Sequence, residues 1–377
     1  MVRLTLLSLL FAISLLGLFG APTYHLWKLA VGVTEFPWVF IALTLTLLSL
    51  AAWVNKYSLA GTVVGVITLI VLLLPIVRAN IIAGDIPSQI TSALGPGSIL
   101  SGNSHPFNVY KMFGSTKMVK YKTLPYVTYA DTSLTLDYYP SQSHQTAPCV
   151  IVVHGGSWSN DDSKELPELN SYLSKHGYNV ASINYRLAPK YKNPAPIQDM
   201  QVALKFLRAR ATDLKIDTNN FVLLGRSAGA QIALLAAYTL HDKNIKGVID
   251  FYGPADMVWG YSAPTKPLVM DSRAVMERYL GGTYKQVPQN YVASSPIEFV
   301  SRQSPPTLIL HGANDVLVAY EHSRRLNEKL QQNGVKHFWL RLPWATHGFD
   351  YTIKGPGGQL STYAVERFLK AVTYKPE

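Results

Sequence analysis

The hydrophobic pattern changes character along the chain. Residues 4–20, 36–55 and 57–77 are uncharged apolar runs, whereas beyond residue 122 short apolar blocks alternate with amphipathic stretches. A bilayer core needs about 20 helical residues at about 1.5 Å each, so the second and third runs are long enough to span it and the first is borderline. Ile67-Thr68-Leu69-Ile70-Val71-Leu72-Leu73-Leu74 lacks the polar face that an amphipathic surface helix would carry. The pattern predicts a three-span anchor over residues 1–78, with spans near 4–20, 36–55 and 57–77 and a tight hairpin at Asn55-Lys56. Leu18-Phe19-Gly20-Ala21 is a poor cleavage site, so the first run is expected to remain as an anchor.

Residues 79–121 mix Gly, Ser, Pro and Asn with short apolar pieces and read as a linker or partial lid. From residue 122 to 377 a catalytic domain is expected. Period-two alternation around the turn at Ala130-Asp131-Thr132-Ser133 predicts a hairpin, Tyr126 to Tyr129 and Leu134 to Tyr139. Apolar runs then predict strands at Val150 to Val153, Val180 to Asn184, Phe221 to Leu224, Gly247 to Phe251, Thr307 to Leu310 and His337 to Leu342. Helices are expected near Lys164 to Lys175, Ile197 to Arg210, Ala228 to Thr239, Tyr320 to Asn333 and Leu360 to Val372. Such alternation implies an α/β fold, with a mainly parallel sheet covered on both faces and chemistry gathered at the strands' carboxyl ends. Residues 254–300 are expected to form a small cap insertion.

Charge sharpens the division. Residues 1–78 hold only Arg3, Lys28, Lys56, Arg78 and Glu35, so nearly all of the 34 basic and 23 acidic residues lie beyond them. The basic residues are scattered, without the clusters or motifs of nucleic-acid binding, and suit an anionic membrane surface better. Arg3 and Lys56 balance Lys28 and Arg78 across the expected spans. An N-terminus held inside by Arg3 puts the large domain outside the cytoplasm after three crossings. Cys149, the only cysteine, sits in an apolar run and reads as a core side chain. The ten histidines form no compact ligand spacing, so neither metal nor cofactor is expected.

The candidate chemistry centres on Gly225-Arg226-Ser227-Ala228-Gly229, between the run Phe221–Leu224 and a helical stretch. Glycines on either side of a serine permit the sharp strand-to-helix turn that lifts its hydroxyl clear of the backbone. His154-Gly155-Gly156-Ser157-Trp158 follows another strand, and its glycines let backbone N–H groups face an oxygen that becomes negative during acyl transfer. Asp315 and His347 follow two further strands, giving the order Ser, Asp, His with separations of 88 and 32 residues. In that arrangement His347 takes the proton of Ser227 and Asp315 holds the imidazole tautomer. His311 reads as support for the acid turn, and Asp250 and Asp256 as residues that cap or orient the insertion.

These segments resemble the esterase/lipase branch of α/β-hydrolases, nearest to hormone-sensitive-lipase-like and feruloyl-esterase-like carboxylesterases. The resemblance rests on His154–Trp158, Asn184-Tyr185-Arg186-Leu187-Ala188-Pro189, Gly225–Gly229, Ser304–Gly312 with Asp315, and His347-Gly348-Phe349, and covers roughly residues 122–373. It implies Ser227 as nucleophile, Asp315 as acid, His347 as base, and Gly155, Gly156 and Ala228 as oxyanion donors. It also implies that the segment Tyr185-Arg186-Leu187-Ala188-Pro189, with Asp199 following, is structural. Ser157 stands where many relatives carry a third glycine. The leading expectation is a serine carboxylesterase acting on small or amphiphilic esters, with Trp158, Met257, Trp259 and Tyr261 as candidate pocket walls. An amidase or formamidase using the same triad stays open, as do an isoprenylcysteine-methylesterase-like hydrolase and a non-catalytic membrane interaction protein.

Overall fold

In the computed structural model, which describes residues 1–53, 58–99, 105–143 and 145–373, the apolar runs of the second half form one eight-stranded sheet. The strands are β1 (Lys122–Thr128), β2 (Ser133–Tyr139), β3 (Ala147–Val153), β4 (Asn179–Ile183), β5 (Ile216–Arg226), β6 (Ile245–Phe251), β7 (Thr307–Gly312) and β8 (His337–Leu342). Their order is β1-β2-β4-β3-β5-β6-β7-β8, antiparallel at β1, β2 and β4 and parallel from β4 onward. This is the α/β-hydrolase arrangement that the resemblance implied. Cys149, Ile151 and Val153 of β3 face one core layer, and Val150 and Val152 face the other, so both sides of the sheet are covered.

The covering helices include α5 (Pro167–Lys175), α6 (Ala195–Ala209), α7 (Ala211–Leu214), α8 (Ala228–Thr239), α12 (Glu321–Gln332) and α13 (Pro356–Thr373). Between β6 and β7, the stretch expected to be a cap holds α9 (Met257–Ser262), α10 (Ser272–Leu280) and α11 (Pro288–Ala293). Strand register lines up the carboxyl ends: Val153 pairs with Gly225, Gly225 with Asp250, Phe251 with Leu310, and Gly312 with Leu342. The residues just beyond these ends therefore converge on one edge of the sheet.

The N-terminal region departs from a plain three-span anchor. Its helices are α1 (Val2–Ser14), α2 (Tyr24–Glu35), α3 (Pro37–Ser49) and α4 (Ser58–Leu94). Among the described residues, α4 alone is long and apolar enough to cross a bilayer by itself; α2 and α3 meet that standard only as a pair bent by 83°, and Val2–Gly17 is shorter. The expected hairpin at Asn55-Lys56 lies outside the described residues.

α4 also continues through part of the expected linker. Ala79, Ala83, Ile86, Ile90 and Leu94 form a buried stripe on the sheet's second core layer. The buried Arg367 of α13 fixes that half, donating to Pro87 O at 3.2 Å and Thr91 Oγ1 at 2.6 Å. The first half instead exposes Leu59, Val63, Val66, Ile67, Ile70 and Leu73.

Candidate active site

Ser227 sits at the turn between β5 and α8 with φ 52° and ψ −120°, a conformation an L-residue adopts only when its surroundings enforce it. Its N–H donates to Phe251 O at 2.9 Å, and its carbonyl accepts from Ala230 N at 3.0 Å. The turn is thus tied to β6 on one side and to its own helix on the other.

Asp315 and His347 meet beside it. His347 Nδ1 lies 2.7 Å from Asp315 Oδ2, and His311 Nε2 lies 3.1 Å from the same oxygen. Asp315 Oδ1 accepts from the N–H groups of Leu317 and Val318 at 2.8 and 2.9 Å. Burial alone would raise the Asp315 carboxyl, but the charges and hydrogen bonds of His347 and His311 hold it well below the usual carboxylate range. The acid is therefore a fixed anion on Nδ1, which leaves Nε2 of His347 as the nitrogen able to exchange a proton. Among the described residues Ser227 Oγ makes no hydrogen bond to His347; the two line one cavity, and such contacts often tighten only around substrate.

The loop after β3 makes a left-handed turn, with φ of 88° at Gly156, 54° at Ser157 and 59° at Trp158. A Cβ on Gly156 would come within 2.1 Å of Asn160 O, so this position requires glycine on both counts. Gly155 departs from the expected oxyanion role. Its N–H donates to Glu165 Oε2 at 2.7 Å and is already taken. The N–H groups of Gly156, Ser157 and Ala228 have no hydrogen-bond partner among the described residues. His154, stacked on Tyr185 at 4.3 Å, is pushed by burial down to about 4 and so adds no charge there at neutral pH.

Burial pushes the Glu165 carboxyl up to about 7, against the pull of the Arg226 guanidinium and the Gly155 N–H. The folded protein then holds a proton that the unfolded chain has released above its ordinary value of 4.5, so this contribution to stability is lost as pH rises from there through about 7. Glu165→Gln is expected to flatten that part of the slope. Melting temperature measured from pH 4.5 to 8 checks this, and an unchanged slope would contradict it.

Two cavities meet at Ser227. One, of about 390 Å³, lies under the cap and is lined by Trp158, Ala228, Val269, Met276, Val316 and His322 among others. The second, of about 790 Å³, is lined by His347, Gly156 and Tyr252, and by Tyr24, Trp27 and Val31 of α2. Trp158 lines the smaller cavity, held by its stack on Tyr279 at 4.4 Å and by its bond to Gln231 Oε1 at 3.0 Å. Met257, Trp259 and Tyr261 line neither cavity. Met257 is buried in the core, Trp259 packs on His322 at 4.9 Å, and Tyr261 donates to Glu277 at 2.6 Å.

A model of the BD-FAE family matches residues 136–330, just over half of the chain and a stretch that contains His154, Ser227 and Asp315. The chain belongs to the BD-FAE family. It is 30% identical over 244 residues to the esterase LipC of Mycobacterium tuberculosis, a match covering 60% of this chain and 59% of that protein. It is 28% identical over 241 residues to the probable carboxylic ester hydrolase LipM of the same organism, covering 60% and 55%. The chain thus spans little more than half the length of these relatives. Among solved structures it shares its fold with an esterase of Pyrobaculum calidifontis, at TM-score 0.59 and 20% identity, covering 77% of this chain and 94% of that one.

For this BD-FAE member, several supporting residues escaped the sequence reading. Arg226 and Asp350 form a buried ion pair at 2.6 Å that joins the serine turn to the His347 loop, and Tyr252 OH bonds the same carboxylate. Arg226 lies inside the serine motif and Asp350 directly after His347-Gly348-Phe349, but nothing local shows that they pair. In the segment read as structural, Arg186 pairs with Asp199 at 2.9 Å, and neither residue lines the cavities at Ser227. His311 supports the acid and Asp256 caps α9 through Trp259 N, as their contexts suggested.

α2 is the larger surprise. Trp27 Nε1 donates to His347 O at 2.9 Å, Tyr24 N donates to Leu268 O of the cap at 3.2 Å, and Glu35 accepts from the N–H groups of Gly357 and Gly358. Part of the expected anchor is therefore a wall of the site.

Proposed function

We propose that the chain is a membrane-anchored serine carboxylic-ester hydrolase. The observation that carries this is the Asp315–His347 hydrogen bond of 2.7 Å opening onto the same cavity as Ser227 in its enforced φ 52° conformation. In this reading Ser227 Oγ attacks the ester carbonyl while His347 Nε2 takes its proton, and Asp315 stabilises the imidazolium. The N–H groups of Gly156, Ser157 and Ala228 receive the oxyanion, with Ser157 replacing the expected Gly155. The alcohol leaves with the proton from His347, and water, activated by the same base, cleaves the acyl-enzyme.

The esterase names of the mycobacterial relatives support ester over amide. Full-length protein in detergent micelles is expected to hydrolyse nitrophenyl esters far faster than a matched anilide or N-formylkynurenine. Anilide or formamide turnover exceeding ester turnover would move the assignment to an amidase.

We further propose that α1, α3 and the first half of α4 embed in the bilayer, with the catalytic domain on the extracytoplasmic side. Arg3 supports the grouping, since it donates to Leu47 O, Ser58 O and Thr62 Oγ1 at 2.8, 3.1 and 3.0 Å and so gathers one end of these helices. Exposed Leu43 and Leu45 on α3, with the apolar face of α4, supply the lipid-facing surface. Protease added outside sealed cells should cleave the domain; complete protection would place it inside.

A further inference from the structure

The two cavities at Ser227 differ in one chemically decisive residue: His347 lines the larger and not the smaller. In ester cleavage the bond between the carbonyl carbon and the alcohol oxygen breaks as His347 delivers a proton to that oxygen. The alcohol must therefore lie on the His347 side, and the acyl group on the other. We propose, building on the esterase reading, that the substrate is a short-acyl ester of a long, apolar, lipid-like alcohol, and that α2 is the wall that receives the alcohol chain.

Three observations carry this. The alcohol-side cavity has about 790 Å³ against about 390 Å³ on the acyl side, so the larger half of the substrate belongs with the leaving group. Its α2 wall presents Trp27, Val31 and Gly32 and ends at Phe36, whose ring meets Tyr351 at 6.3 Å. Phe36 is the 83° bend between α2 and α3, and α3 continues outward with exposed Leu43 and Leu45. Asn160, Asp161 and Glu165 supply polar lining to the same cavity, while its α2 residues lead through Phe36 toward the surface assigned to lipid. Tyr24, with Lys28 over its ring at 4.8 Å, and Trp27 give α2 the aromatic and basic side chains that settle at a membrane interface. An alcohol with a long chain can enter from the bilayer along this wall while its ester group reaches Ser227.

Decyl acetate and ethyl decanoate test this directly, because they are isomers that exchange the long chain between alcohol and acyl sides. With full-length protein in detergent micelles, kcat/KM is expected to favour decyl acetate by about 10-fold or more, the scale on which pocket fit separates apolar substrates. Val31→Trp, which fills the α2 wall, should lower that ratio toward one. Gly32→Leu should lower it too, and a Cβ there meets nothing nearer than Phe40 at 4.0 Å. Equal rates, or preference for ethyl decanoate, would overturn the assignment while leaving the esterase reading intact. Failure to hydrolyse either isomer or a nitrophenyl ester in a Ser227-dependent way would instead overturn the esterase reading, and this proposal with it.

Discussion

Ser227→Ala is expected to lower ester turnover by roughly 10⁴- to 10⁶-fold, the range seen when a nucleophile is removed from a serine-hydrolase triad. The physical reason is that the remaining parts cannot form the acyl-enzyme. A water molecule left beside His347 gains the base and the oxyanion donors but not the fixed position that the turn after β5 gives to Oγ. His347→Ala should cost a similar factor, and the double variant little more, because the groups act as one unit. Initial rates with a nitrophenyl butyrate in detergent, corrected for folded protein, measure this. Additive losses in the double variant would mean that Ser227 and His347 act independently.

Gly225→Ala is the second large effect, and it falls on folding. A Cβ on Gly225 would stand 2.2 Å from Gly229 O and 2.4 Å from Ala230 Cα, and neither backbone atom can rotate away. The matching substitution at Gly229 would put a Cβ 2.3 Å from both Val153 O and His154 O. Each glycine lets α8 lie directly against a strand, one against β5 and the other against β3. Either change forces apart elements that the buried Ala230, Ile232 and Ala233 hold together, at a cost of about 4 kcal/mol or more. The expected outcome is loss of monodisperse protein and of a cooperative melt. Wild-type yield and melting temperature in either variant would contradict the close packing described.

The same two glycines show how far the sequence could be read. Their spacing around Ser227, placed between an apolar run and a helical one, was enough to locate the turn, because strand and helix periods differ sharply there. Asp315 and His347 are legible as candidates for a related reason: Asp315 falls just past the apolar run Thr307–Leu310, and His347 shortly after the alternating strand His337–Leu342. Gly155 was not. Its neighbours mark an oxyanion loop, but which N–H stays free depends on Glu165, ten residues on, and no local pattern reveals that bond.

The N-terminal region was legible as apolar and illegible as architecture. Residues 79–94 contain Gly84, Ser88 and Pro87, turn-like signals that hid a helix whose buried stripe recurs every three or four residues. Tertiary packing on the sheet and the Arg367 bonds override those signals. α2 lies between the apolar runs and is too short to span a bilayer, so no pattern in the sequence marks it. Its meaning comes from Trp27 meeting His347, 320 residues away in sequence. Trp259 and Tyr261 show the opposite case: aromatic residues in a cap suggest walls of the substrate pocket, but these two contact His322 and Glu277 and line neither cavity at Ser227.

As the proposed activated nucleophile of this site, Ser227 should be open to covalent capture. Full-length protein in detergent micelles, treated with a serine-directed fluorophosphonate and mapped by peptide mass spectrometry, should carry one phosphonyl group on Ser227. The adduct should be absent from Ser227→Ala and should form about 100-fold more slowly, or worse, in His347→Ala, the scale on which a positioned general base contributes. A folded wild-type protein that takes up no adduct, or takes it up on another residue, would rule out Ser227 as the nucleophile.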